Sequence, residues 1–206
     1  MKILKIDQTD PEQDKIEIAR HVMERGSIIV YPTDTVYGIG ANIFNEKAIL
    51  KVFSIKKRLK NKPLSVCLSR IEDIRMVANI DATMEKIIRK ILPGPFTLIL
   101  EKNDKVPSIL TAGSDKIGIR IPANQVCMDL SRDFPITSTS ANLSGYGVPE
   151  TADAVLKQLG SSVDIILDAG ICKHGVHSTV VDMTVFPPKV IREGAGNHLI
   201  QEFGIL

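Results

Sequence analysis

Ile28-Ile29-Val30-Tyr31-Pro32-Thr33-Asp34-Thr35-Val36-Tyr37-Gly38 joins a short β-branched and aromatic run to a polar segment at a proline. The run reads as a buried strand over 28–31, and Pro32, which has no N–H to give to a ladder, ends it. Thr33, Asp34 and Thr35 then fall in a turn at the strand's C-terminal end, where two hydroxyls and a carboxylate stand beside exposed backbone N–H groups. The alternative is an ordinary turn in which these side chains satisfy their own backbone.

Upstream, Asp10 as N-cap, Pro11 at the first helical position and Gln13 in capping-box register predict a helix over 11–25. Its apolar face is Ile16, Ala19, Val22 and Met23, and Gly26 stops it. Downstream, Asn45 caps a helix carrying Ala48, Ile49, Val52 and Phe53 that runs out near Lys56. A strand over 64–68 follows, then a capping-box pattern at Ser69 and Glu72. Asp81 introduces a helix bearing Met84, Ile87, Ile88 and Ile91, which Pro93-Gly94-Pro95 breaks, and 96–100 is the next strand. Ile117, Ile119 and Ile121 alternate with Gly118 and Arg120, so a strand there sends Arg120 to the face opposite the isoleucines. The remainder reads as helices over 124–131 and, behind a Thr151 cap, 152–159, with strands over 136–139, 164–167, 179–183 and 189–191. The last two are joined by a short segment and should pair antiparallel. The sum is a mixed α/β fold in one domain over 1–206.

With 206 residues, 44% of them hydrophobic, the chain can bury one substantial core. A net charge of +2 gives no global field towards nucleic acid or membrane, so any electrostatic attraction is local. Cys67, Cys127 and Cys172 are odd in number and widely spaced, and the N-terminus lacks a signal-peptide core, which fits a soluble protein of the reducing cytoplasm. No apolar stretch approaches the roughly 20 residues that span a bilayer.

No phosphate loop of the G-x-x-x-x-G-K-[ST] type is present, and Gly38-Ile39-Gly40 lacks the third glycine of a dinucleotide fingerprint. The densest positive cluster, Lys56, Lys57, Arg58, Lys60 and Lys62, sits at a helix end. It reads as a solvated terminus or as a polyphosphate clamp, with contact to an RNA backbone as a third possibility. Thr137 to Gly145 holds five hydroxyls and an amide, able to meet phosphate, magnesium or a carboxylate, or merely to form a surface loop. Cys172, His174 and His177 lack a fourth ligand in metal-site spacing. No nucleophile elbow or Cys/His pair supports covalent catalysis.

Taken together, residues 31–38, Ile55-Lys-Lys-Arg58, Lys62-Pro-Leu64, Pro93-Gly-Pro-Phe-Thr97, Gly118-Ile-Arg-Ile-Pro122, Ser138-Thr-Ser-Ala-Asn142 and Ser178-Thr-Val-Val-Asp182 resemble, in order, the YrdC family of threonylcarbamoyl-AMP synthases. The resemblance runs from about Lys15 to Gly194. It implies a twisted mixed α/β sheet with flanking helices, forming one wall of a deep, concave, basic cavity. It also implies synthesis of threonylcarbamoyl-AMP and pyrophosphate from L-threonine, bicarbonate or CO2, and ATP with Mg2+. That product feeds the threonylcarbamoyl-transfer machinery acting on tRNAs that read ANN codons.

By position, the resemblance assigns Lys56, Arg58, Ser140 and Asn142 to catalysis and ATP, and Lys62 and Arg192 to further ATP contacts. Thr35, Cys67, Arg120, Ser138 and Ser178 fall on the threonine side. No protein metal ligand is assigned. Two positions depart from many relatives: Cys67 stands where they have His, and Lys62 where they have Asn. Two other readings stay open: a non-catalytic RNA-binding module of the same fold, against which the 4% aromatic content weighs, and a paralogue acting on another carbamoyl-adenylate.

Overall fold

The computed structural model describes residues 1–202. The expected unit over 1–206 therefore includes four residues, 203–206, outside the described ones. Ten strands form one mixed sheet among the described residues. In chain order they are β1 (Lys2–Lys5), β2 (Ile29–Tyr31), β3 (Gly38–Gly40), β4 (Ser65–Cys67), β5 (Phe96–Glu101), β6 (Lys116–Arg120), β7 (Ile136–Ser140), β8 (Ile165–Asp168), β9 (Thr179–Asp182) and β10 (Lys189–Arg192). In space the order is β1-β8-β2-β3-β7-β4-β6-β5-β9-β10, with parallel and antiparallel neighbours mixed. As expected, β9 and β10 pair antiparallel.

Helices α1 (Gln13–Glu24), α2 (Glu46–Ile55), α3 (Ala82–Ile91), α4 (Gln125–Leu130), α5 (Ala152–Leu159) and α6 (Leu199–Glu202) flank the sheet, with a 3-10 helix over Ile71–Met76. Three caps act as their sequence predicts: Asn45, Asp81 and Thr151 accept the N–H groups of Ala48, Met84 and Ala154. Such a cap contributes about 1 kcal/mol. Two starts differ. The Asp7 carboxylate takes the N–H groups of Thr9 and Asp10, so the chain turns there and α1 begins behind Glu12 rather than Asp10. The capping pattern expected at Ser69 and Glu72 lies one residue later, with Asp73 accepting from the Arg70 N–H at 3.1 Å.

β3 escaped the sequence reading because two of its three residues are glycine. Their missing side chains are the reason it fits: a Cβ on Gly38 or Gly40 would meet the Tyr31 ring at 3.0–3.1 Å. The buried Tyr31 phenol donates to Thr137 O of β7, spanning β3. β1 also escaped it, since its burial pattern is almost wholly exposed.

Alternation along the strands decides where the site lies. One face meets α2, α3 and α5 through a core that includes Val30, Ile39, Val66, Leu98, Ile119 and Val181. Each fully buried aliphatic side chain of this kind contributes about 1.5–3 kcal/mol. The other face is covered by α1 and α4 from β1 and β8 across β2 to the start of β7 and the Cys67 end of β4, where Ile29, Tyr31, Cys67, Ile136 and Leu167 pack together. Towards β6, β5 and β9 that second face is uncovered, and a cavity opens over it. No helix of the described residues is long and apolar enough to cross a membrane.

Candidate active site

The cavity has a volume of about 360 Å³, within the range of small-molecule sites. Its floor follows strand alternation. Lys116, Gly118 and Arg120 of β6 point into it while Ile117 and Ile119 pack into the core, as the sequence predicts. Thr97 and Ile99 of β5, and Ser138 and Ser140 of β7, add to the same floor. The two signature segments meet here, because β3 and β7 pair antiparallel with Gly38 opposite Ser140.

The α2 terminus supplies the rim. Lys57 N–H bonds Ser54 O and Arg58 N–H bonds Phe53 O, a Schellman closure. It places Lys57, at the position usually held by glycine, at a φ of 48°. A non-glycine residue there costs on the order of 1 kcal/mol. The turn brings Arg58 to the cavity, where Nε donates to Lys62 O at 3.1 Å and a terminal nitrogen to Pro63 O at 2.9 Å. Lys62 therefore contributes its carbonyl to orienting Arg58. Its side chain is exposed and lies outside the cavity lining.

Lys56 is not a solvated helix end. It is 2% exposed, and its ammonium donates to Ser140 O, to Asn142 O at 2.8 Å and to Asn142 Oδ1 at 3.0 Å. Its own carbonyl accepts the Ser144 N–H, so α2 grips the 140–144 loop twice. Burial first, then the like charge of Arg58, push its pKa down to about 7, while the three oxygens favour the ammonium. Ser140 Oγ donates to Asn142 Oδ1 at 2.6 Å, and Asn142 Nδ2 donates to Tyr146 O at 2.6 Å. The four residues expected as one set are thus brought together. Arg58 and Ser140 line the cavity, and Lys56 and Asn142 lie behind them.

On the far side, the buried Arg120 donates from one terminal nitrogen to Asp34 Oδ1 at 2.7 Å and to Thr35 Oγ1 at 2.9 Å. Asp34 Oδ2 accepts the Ala123 N–H, and the hydroxyls of Thr33 and Thr35 lie 2.9 Å apart. The polar turn after β2 is therefore both self-satisfied and wired to Arg120. Thr35 itself is fully buried behind the lining, whereas Thr33 reaches the surface of the cavity. Ser178 Oγ lies 2.7 Å from Thr97 Oγ1 and accepts from Arg192, which also donates twice to Ser178 O. Arg192 and Ser178, assigned by resemblance to different substrates, form one unit. Burial depresses the guanidinium pKa of Arg58, and that of Arg192 with help from Arg120.

Cys67 does not line the cavity. It shares a strand face with Ser65, which does, but two residues along β4 that face runs beneath α4. There Cys67 is fully buried with Cys127, its sulfur 3.9 Å from Ser131 Oγ. Asp34, Thr97, Lys116 and His177 were absent from the expected site. Asp34 carried a signal in its strand-end turn, and Lys116 in its alternation with Ile117; Thr97 closes the Pro93-Gly-Pro-Phe-Thr97 motif, which gave it no role.

Among the described residues the cavity lining holds Arg58, Lys116, Arg120 and Arg192 and no carboxylate. Such a surface suits a polyanion and a carboxylate-bearing partner. Among the described residues no group of three or more His, Cys, Asp or Glu could hold a metal ion.

A Methanocaldococcus jannaschii relative is 42% identical over 195 residues, covering 94% of this chain and 93% of its own. The threonylcarbamoyl-AMP synthase of Pyrococcus abyssi is 36% identical over 186 residues, and the match spans 89% of this chain but only 55% of that longer protein. The crystal structure of P. abyssi Sua5 complexed with L-threonine superposes with a TM-score of 0.93 at 32% identity, over 100% of this chain and 62% of that one. Escherichia coli YciO superposes at 0.88 with 27% identity, over 98% and 100%. The family model Sua5_yciO_yrdC, described as "Telomere recombination", matches residues 21–194. The chain belongs to the Sua5/YciO/YrdC family.

Proposed function

We propose that this chain condenses L-threonine, CO2 or bicarbonate, and ATP into L-threonylcarbamoyl-AMP and pyrophosphate, the adenylate used for threonylcarbamoyladenosine in tRNA. The observation that carries the reading is the cavity's charge pattern: four cations and no carboxylate on the lining, beside the fixed Lys56-Ser140-Asn142 cluster. The names of the P. abyssi relatives, one a threonylcarbamoyl-AMP synthase and one solved with L-threonine, support it.

The chemistry needs positioning and charge neutralisation rather than a protein nucleophile. The neutral threonine amine adds to CO2 and, as its nitrogen gives up a proton, becomes a carbamate. A carbamate oxygen then bonds to the α-phosphorus of ATP as the bond to the bridging oxygen breaks, and pyrophosphate leaves. Arg58, with Lys56 behind Ser140, opposes the charge that develops on the phosphates. Arg120 and the Ser138–Ser178 side take the amino acid, with Arg120 meeting its carboxylate. Mg2+ enters as the MgATP substrate, carried by the phosphates.

Incubating the protein with MgATP, bicarbonate and one amino acid at a time, with mass detection of the adenylate, tests the reading. Product with threonine alone supports it. Product with another amino acid only makes the chain a paralogue, and none with any amino acid, alongside tight tRNA binding, makes it an RNA-binding module.

A further inference from the structure

The proposed reaction leaves one requirement unmet by the residues already discussed. Free threonine at neutral pH carries its amine largely as the ammonium, and a proton must leave before nitrogen can bond to carbon. The cavity lining offers few acceptors. It has no Asp or Glu among the described residues, and Arg58, Arg120 and Arg192 are permanent cations. Lys116 is engaged with Asp182 at 3.1 Å. The Tyr37 phenol donates to Gly170 O at 2.9 Å, and burial holds its pKa far above neutrality. Lys56 lies behind the lining with its three N–H groups directed at oxygens.

His177 is the lining residue that remains. Its backbone is pinned, since its carbonyl accepts the Ala195 N–H at 2.8 Å and the neighbouring Ser178 bridges to Ala195. Its imidazole makes no hydrogen bond to another described residue, so both ring nitrogens are available. Partial burial, then the charges of Arg192, Lys56 and Arg120, hold its pKa below the usual imidazole value, which favours the neutral ring. Arg58 and Lys116, the other cations of the lining, add charge of the same sign. The residue is also exposed, so a proton taken up there has a route to water.

Resting on the function proposed above, we propose that His177 is the proton acceptor for the threonine amine. A ring nitrogen takes the ammonium proton as the N–H bond breaks. The freed lone pair forms the bond to the carbon of CO2, the imidazolium releases its proton to solvent, and the adduct's ammonium nitrogen then loses its second proton by the same route to leave the carbamate. The triphosphate of ATP, bound in the same cavity, offsets the transient positive charge.

The test is a pH series, from about pH 6.5 to about 9.5, of adenylate formation by the wild type and His177→Gln, with KM for ATP measured alongside. The variant should be about 100-fold slower near neutrality, with KM for ATP little changed. The gap should close as the amine of threonine loses its proton unaided. Equal rates near pH 7, or a gap that stays constant across the series, would overturn the assignment. A wild type that makes no adenylate at any pH would instead overturn the parent reading, and the assignment with it.

Discussion

The Lys56 ammonium holds Asn142 at two oxygens, the backbone carbonyl at 2.8 Å and the side-chain Oδ1 at 3.0 Å. With its bond to Ser140 O, this fixes the end of β7 against the end of α2. Lys56→Ala strands three acceptors where water has little access. It should lower unfolding free energy by about 3–5 kcal/mol, as breaking a buried charged network does, and abolish adenylate formation. Urea denaturation checks the first outcome and the mass assay the second. A variant as stable as the wild type would remove Lys56 from its place as the tie.

The same lysine sets a pH dependence. Its folded pKa, about 7, lies below its ordinary value of 10.5. Between those values the unfolded chain holds the proton and the folded chain does not, so stability contributed by this group rises with pH across that window. Below about pH 7 both states are protonated, and the penalty of burying the ammonium is constant. Wild-type Tm should therefore gain on that of Lys56→Met as pH rises from about 7 towards about 10. A difference flat across the window would show that the three oxygens hold Lys56 protonated throughout.

Arg120 and Asp34 are both buried, with side chains 9% and 3% exposed. Arg120→Ala leaves a buried carboxylate without its cation, a loss of about 3–5 kcal/mol. Adding Asp34→Asn should recover part of that stability by neutralising the stranded group. Threonine affinity should not return, because the guanidinium proposed to meet its carboxylate is still missing, while ATP affinity changes far less. Calorimetric titration with each ligand separates these effects, and threonine binding restored by the double variant would refute the role given to Arg120.

Gly194 lets two backbones touch: a Cβ there would lie 2.2 Å from His177 O and 2.8 Å from Ser178 O. Neither atom can swing aside as a side chain would. Gly194→Ala should separate this segment from Ser178, displace Arg192 and His177, and cost about 2 kcal/mol or more with most of the activity. Gly147→Ala, where nothing lies within 4 Å, should stay within about 0.5 kcal/mol of the wild type. Thermal unfolding of the two variants side by side measures the contrast.

Much of this was legible in the chain. The caps at Asn45, Asp81 and Thr151 and the isoleucine alternation around Arg120 are local patterns, and each gave the right element or face. β3 was not legible, because Gly38 and Gly40 leave no side-chain pattern and their spacing answers a ring from another strand. The site divides in the same way. Hydroxyls and cations at strand and helix ends were visible, and the resemblance grouped them. Which of them face the cavity depends on what covers each strand face. Cys67 lies under α4 while Ser65 lies in the open, a distinction set by residues some sixty positions away, such as Cys127.

The central claim is that the basic cavity joins a threonine-derived carbamate to the α-phosphate of ATP. Supplying 13C-bicarbonate with L-threonine and MgATP, and weighing the adenylate formed by wild type and by Arg58→Ala, tests it most directly. The account predicts that the wild-type adenylate carries the label and forms only when threonine is present, and that product falls by about 100-fold or more when the Arg58 guanidinium is removed from a folded protein. Wild-type turnover by Arg58→Ala, or an adenylate without the label, would contradict it.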